Sequence, residues 1–385
     1  MKNEKENCLK KITKNFITCF FYILRIFPQS KNKIVVSNFF GKGYGGDPKF
    51  IVNSLLDKAA DNQIIWLVND TSIEMPIKIK KVKYNSIRAY YELVTASIWI
   101  DNCRKPYYFR KRKKQYYIQT WHGGNGPKNV EKNAITALPS FWVKASINDS
   151  KMVNLMLSNS AFNTKIINEA FWYKGEILEV GSPRRDIFFY ENNTIIKNKV
   201  KETLNIIENS KIILYAPTLR KGTDKEDISI DYEKLKLALE KKFGGEWSIL
   251  VRLHPMENPL YTPECWSEYI INASIYDDIQ ELMLVSDVLL TDYSSVMMEY
   301  SILKRPIFLF VDDINRFKDD RGFSFDLNDL PFIVSNNNVE LENNIIQFDS
   351  EKYNEELKSF LERIDFYDSG NASNVIVKRI EQVLN

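Results

Sequence analysis

Only two histidines occur in the 385-residue chain, His122 and His254. His122 stands in YIQTWHGGNGPK and His254 in LVRLHP, each in a loop directly after a strand-like run. A histidine at the carboxyl end of a strand in an α/β sheet is placed to meet a ligand, and it titrates near neutrality, so each is a candidate for proton transfer. A structural hydrogen-bonding role competes for either one alone; equivalent placement in the two halves favours function. The second signal is SDVLLTDYSSVMMEYSILKRPIFLF, where an apolar run enters Thr291, Asp292, Tyr293, Ser294 and Ser295 before a helix begins. Hydroxyls and amides at a helix N-terminus bind phosphate without a glycine loop, although a plain Ser/Asp cap reads equally well on local grounds. Glu299, inside that helix, is near enough to accept from a ribose or glycerol hydroxyl. Thr218 and Arg220 end the run YAPTLR, and Arg252 precedes His254 by two residues. Arg220, Arg252, His254 and the 291–295 turn are therefore a candidate set for a diphosphate.

These residues must be held by strands. Runs rich in Val, Ile and aromatics predict strands over 33–38, 63–68, 98–101, 115–120, 141–145, 176–180, 211–216, 248–252, 288–291 and 306–310, with helical sequence between them. Repeated β-then-α units imply parallel sheets covered on both faces, with ligands at the carboxyl ends of the strands. The polar stretch 191–209 marks a break, which divides the chain into a segment 1–30, a first α/β domain 31–192 and a second 193–385. From residue 353 the sequence reads helical, with a break near Gly370. The stretch GKGYGGDPKF after the first strand lacks GxGxxG and is read as acceptor-cleft backbone rather than a nucleotide loop.

The composition, 44% apolar and 27% charged, supports a sizeable core and excludes a mainly disordered or low-complexity chain. No stretch reaches the roughly 18–20 uncharged apolar residues of a spanning helix. The four cysteines are dispersed without a CxxC, which argues against zinc and disulfide frameworks. The net charge of +3 is unevenly spread: residues 1–114 hold 23 Lys and Arg against 9 acids, a surplus of 14, leaving −11 for the rest. The segment CLKKITKNFITCFFYILRIF, lysine-rich and then aromatic, predicts an interfacial amphipathic helix at an anionic membrane surface, with RKRKK at 110–114 adding charge. A helix packed on the protein is the alternative. Tyr107, Tyr108 and Phe109 beside the basic cluster are too few aromatics for a nucleic-acid module.

Taken in order, WHGGNGPK, GSPRRD (181–186), YAPTLR, RLHP, TDYSSVMMEY and RGFSFDL (321–327) resemble the CDP-glycerol glycerophosphotransferase family of teichoic acid and capsule synthesis. The resemblance spans about residues 30–345. It implies a GT-B-like architecture, two Rossmann-like domains facing across a cleft, with donor nucleotide in the second and acceptor in the first. It further implies transfer of glycerol phosphate from CDP-glycerol to a hydroxyl of a membrane-linked glycan, releasing CMP at the cytoplasmic face of the membrane. His122 is then the base, with Gly123 and Arg184 on the acceptor side. His254, Arg220, Arg252, Thr218, Thr291, Asp292, Ser294, Ser295 and Glu299 serve the donor. No protein-bound metal or other cofactor is expected, since a carboxylate cluster or DxD motif is absent from the sequence; no nucleic acid is expected, and an oligomer is possible. The chain departs from the family's usual WHGTPLK at WHGGNGPK and from its PRND at Pro183-Arg184-Arg185-Asp186. A CDP-ribitol donor, a nucleotide-sugar glycosyltransferase and a non-catalytic scaffold remain as alternatives. Modest length points toward single addition rather than polymerisation.

Overall fold

In the first strand, Val35 enters one hydrophobic cluster while its neighbours Ile34 and Val36 enter another. That alternation is the signature of a strand buried on both faces, and it recurs through two parallel sheets. The computed structural model describes residues 15–58, 61–123, 126, 129–218, 230–253, 267–312 and 329–385. The chain forms two units: the first takes the chain up to His122, then Val130–Asp186 and Tyr367–Asn385, and the second Gly123–Asn129 and Ile187–Phe366.

The first unit carries β1 (Lys33–Ser37), β2 (Gln63–Val68), β3 (Ile79–Lys83), β4 (Ile98–Asp101), β5 (Tyr116–Gln119), β6 (Leu155–Ser158) and β7 (Glu176–Glu179). Their order is 3-2-1-4-5-6-7, all parallel. The second carries β8 (Lys211–Tyr215), β9 (Trp247–Val251), β10 (Ile270–Asn272), β11 (Val288–Thr291), β12 (Ile307–Phe310) and β13 (Ile333–Ser335), in the order 10-9-8-11-12-13, again parallel. Each is a Rossmann-like order with a switch point, at β1/β4 and at β8/β11, where loops leave in opposite directions and open a ligand crevice. Two such units are the components of a GT-B-like chain.

Several expectations need correction. Residues 141–145 are not a strand but part of the helix Ser140–Met152, whose buried residues Ala145, Ser146, Asp149 and Ser150 recur at helical spacing. β3, β6, β10 and β13 went unread: β3, β10 and β13 are short strands at sheet edges, β3 being IKKVK with only Ile79 and Val82 buried, and β6 is an inner strand of only four residues, LMLS. The expected domain ending at 385 is also wrong at its end. The helix Ala372–Leu384 places Ile376, Val377, Ile380 and Leu384 on the first sheet beside the helix Gly46–Asp57.

The motif GSPRRD clasps that returning helix. Asp186 Oδ1 and Oδ2 accept from the amides of Ala372 and Ser373 at 2.9 and 2.8 Å, which caps the helix from far along the chain. Arg185 pairs with Asp368 at 2.9 Å, and Asp368 also accepts from the Ser182 amide. Gly181 has φ +88°, and a Cβ there would approach the Asp368 Cα to 2.8 Å, so both conformation and space require glycine. Asp186→Ala should therefore lower unfolding free energy by about 2 kcal/mol, as lost caps do, read as an earlier urea transition of the first unit. An unchanged midpoint would remove the clasp from the account of stability.

The segment assigned to 1–30 is divided: residues 1–14 lie outside the described set, and the rest belongs to the first unit. A helix over 15–23 runs into a 3₁₀ turn, Leu24–Ile26. Phe21 and Leu24 join the core, Phe21 packing on Tyr90 and Phe109, and the Thr18 hydroxyl donates to the Tyr108 carbonyl. Phe16, Tyr22, Ile23, Ile26 and Phe27 remain exposed. Among the described residues no helix is long and apolar enough to cross a membrane.

Candidate active site

β5 delivers Thr120, Trp121 and His122 to the carboxyl edge of the first sheet. Trp121 has φ +61°, a strained value for a non-glycine residue. Its amide donates to Gln119 Oε1 at 3.0 Å, and its ring packs against Phe171 and under the Arg104 guanidinium. The Arg104 side chain, wholly buried, pairs with Glu131 and Asp149, each at 3.2 Å. The turn that carries His122 is thus held by a buried ion-pair cluster.

His122 Nδ1 lies 2.7 Å from the carbonyl oxygen of Asn102. A carbonyl can only accept, so Nδ1 carries the proton and the lone pair rests on Nε2. Burial pushes the imidazole down to about 4; Arg184 and Arg104 add to this, and the Asn102 carbonyl and Asp101 oppose it. The ring is therefore neutral at physiological pH, and its Nε2 lone pair is available to take a proton, as a general base requires.

Asn102 follows β4, and its side chain ties that loop to the loop after β1. Asn102 Nδ2 donates to Asn38 Oδ1 at 2.6 Å, and Asn102 Oδ1 accepts from the Phe39 amide at 2.9 Å. Below them Lys105 pairs with Asp101 and donates to Ser37 Oγ at 3.1 Å. This is the β1/β4 switch point, and sequence reading missed all of it. Phe39 and Phe40 then take φ of 40° and 57° in succession, at a cost of order 1–3 kcal/mol each.

Arg184 was expected to meet the acceptor. It is buried, pairs with Asp47 at 3.3 Å and donates to the His122 carbonyl at 3.3 Å, so it holds the backbone of His122. Asp47 sits in the first turn of the helix Gly46–Asp57, so the glycine-rich loop opens onto a helix end that already carries a carboxylate. Gly123, next in the chain, is partly buried.

In the second unit, the structure brings Thr218, Thr291 and Asp292 together at the β8/β11 switch point. The Thr218 amide donates to both Asp292 oxygens, at 3.0 and 2.9 Å, and its hydroxyl to Asp292 Oδ1 at 2.6 Å. Thr291 Oγ1 donates to the Ala216 carbonyl at 2.6 Å. These three residues latch the two strand ends and shape the crevice. Ser294 and Ser295 are partly exposed just before the helix Val296–Tyr300, and Gly126 lies against Ser295. Arg252, after β9, donates to the carbonyls of Ala273, Tyr276 and Asp277, so it braces the adjoining turn. Glu299 is buried and accepts from Gln280 Nε2 at 3.0 Å. Arg220, His254 and the 321–327 motif lie outside the described residues.

Comparisons with known proteins agree with this frame. The chain is 33% identical to a teichoic acid poly(glycerol phosphate) polymerase of Staphylococcus epidermidis over 89% of its own length, and it spans about half (49%) of that relative. It is 30% identical to a teichoic acid glycerol-phosphate transferase of Staphylococcus aureus, covering 97% of this chain and 99% of that one. Its structure is similar to a histidine-to-asparagine variant of the wall teichoic acid polymerase TagF soaked with CDPG, with TM-score 0.86, 29% identity and coverage of 100% and 98%. The family model for CDP-glycerol:poly(glycerophosphate) glycerophosphotransferases matches residues 19–382, and the chain belongs to that family.

Proposed function

We propose that the protein transfers glycerol phosphate from CDP-glycerol to a hydroxyl of a membrane-linked glycan. The observation that carries this reading is His122, neutral and with its lone pair on Nε2, at the carboxyl edge of a Rossmann-order sheet. Nε2 takes the proton of the acceptor hydroxyl as its oxygen attacks the β-phosphorus. The bond from that phosphorus to the bridging oxygen breaks, and CMP leaves with the electron pair. The charge that develops on the departing CMP phosphate is met by His254 and Arg220 and by the hydroxyls of Ser294 and Ser295. Thr218, Thr291, Asp292 and Arg252 shape the donor crevice, and Glu299 stands behind it. Fixed protein charge suffices for this chemistry, so no resident cofactor is invoked.

The acceptor is lipid-linked, and the protein meets it peripherally at the cytoplasmic face. The exposed face of the N-terminal helix and the turn after it, with Ile26 77% exposed, supplies the apolar contact, and the exposed Lys113 and Lys114 supply positive charge for anionic headgroups.

Purified protein given CDP-glycerol and a lipid-linked glycan extract should release CMP only when acceptor is present, with a new phosphodiester in the product. Turnover of CDP-ribitol alone would change the donor. Consumption of a nucleotide sugar instead would overturn the phosphotransfer reading.

A further inference from the structure

The geometry points to Phe39 and Phe40 as a stacking subsite for a sugar ring of the acceptor, beside His122. This inference rests on the phosphotransfer reading above. Both residues hold left-handed backbone, a conformation that glycine adopts without strain, and glycines stand at positions 41 and 43 of the same turn. The strain is held in place from several sides. The Phe39 amide donates to Asn102, the Phe40 carbonyl accepts from Asn69 Nδ2 at 3.0 Å, and the Gly41 and Lys42 amides both donate to the Asn38 carbonyl.

What the strain delivers is not core packing, because the two residues are 37% and 39% exposed. The Phe39 ring lies 5.1 Å from the His122 ring, and the Phe40 ring 6.4 Å from the indole of Trp142. An aromatic strip therefore borders the base within the first unit. Aromatic faces are apolar with a negative quadrupole, and they complement the C–H face of a pyranose; an open-chain polyol offers no such plane. The buried cations on Trp121 and on the His122 carbonyl, Arg104 and Arg184, are already paired with Glu131, Asp149 and Asp47.

The test replaces each ring by glycine in the full chain, Phe39→Gly and Phe40→Gly. Glycine lifts the backbone strain, so the melting temperature should hold or rise. Acceptor KM should increase about 10-fold for an acceptor that ends in a sugar ring, with donor KM unchanged, and Phe40→Trp should restore binding. A fall in melting temperature with acceptor KM unchanged would make the rings structural and overturn the inference. An equal KM increase for an acceptor that ends in glycerol phosphate would overturn the ring-specific part. Binding without turnover separates the two readings. A neutral disaccharide titrated by NMR should bind the wild type and lose affinity in Phe40→Gly, while sn-glycerol 3-phosphate shows no such difference. Wild-type protein that releases no CMP from CDP-glycerol fails the phosphotransfer reading, whereas equal disaccharide binding by wild type and variant fails this one.

Discussion

His122→Asn is expected to lower kcat by about 10²–10⁴-fold, the range for loss of a general base, with little change in donor KM. Asparagine keeps an N–H that can donate to the Asn102 carbonyl where Nδ1 now does, so the turn should survive while the Nε2 lone pair is lost. The pH profile gives an independent reading. The imidazole is held down to about 4 rather than 6.5, and protonation below that value removes the lone pair. The acid limb of kcat/KM, which reports the free enzyme, should therefore fall near pH 4, with activity level between pH 8 and 5.5. In the donor complex the diphosphate charge favours imidazolium, so the limb of kcat should lie higher. Stability follows with a definite sign. Between about 4 and 6.5 the unfolded chain binds a proton that the folded chain refuses, so His122 makes stability fall as pH falls through that window. His122→Asn should flatten this slope. A kcat/KM limb at 6.5 that is identical in the variant would remove His122 from the chemistry.

That His122 was legible as a candidate while the groups that hold it were not has one physical cause. His122 is a rare residue type at the end of a legible strand. Asn102 acts on it through a main-chain carbonyl, which no side-chain pattern announces. Arg184 was legible as a charge, but its partner Asp47 lies 137 residues away, so it read as a cation awaiting substrate rather than one already paired. Thr291 and Asp292 read as phosphate ligands for the same reason, since their bonds to Ala216 and Thr218 cross between strands distant in sequence. Phe39 and Phe40 gave no signal because their interest lies in φ, not in residue type. The fold shows the same division. Longer central strands such as IIWLV are buried on both faces and stand out as apolar runs, whereas the four-residue inner strand LMLS is too short to do so. The edge strand IKKVK and the aromatic start of the helix Ser140–Met152 follow the wrong period locally, and only their partners settle them. The GSPRRD motif is a further case: its second arginine, where the family usually has Asn, is taken up by Asp368 within the clasp.

Arg104→Met should destabilise the protein by about 3–5 kcal/mol, because it removes one side of a buried ion pair and leaves the other charged. Glu131 and Asp149 both point at the guanidinium, and all three side chains are almost wholly out of solvent. Burial holds the Asp149 carboxyl above its ordinary range even with Arg104 beside it and the Lys105 amide donating to it. Without the arginine that carboxyl must rise further, and the folded variant then binds protons that the unfolded chain does not. Its stability should consequently fall as pH rises, so the deficit against wild type is smaller at pH 5 than at pH 8. At roughly 2–4 °C per kcal/mol for a unit of this size, the melting temperature should drop by about 6–20 °C at pH 8. The triple variant Arg104→Met, Glu131→Gln, Asp149→Asn should recover much of the loss, since the cost lies in the stranded charges rather than in the pairing itself. Activity should not recover with it. Arg104 also covers the Trp121 ring, and Trp121 carries the strained turn into His122. A triple variant restored in stability but still low in kcat would show that the buried cluster acts on the base through Trp121. One that regains both would reduce Arg104 to a purely structural residue.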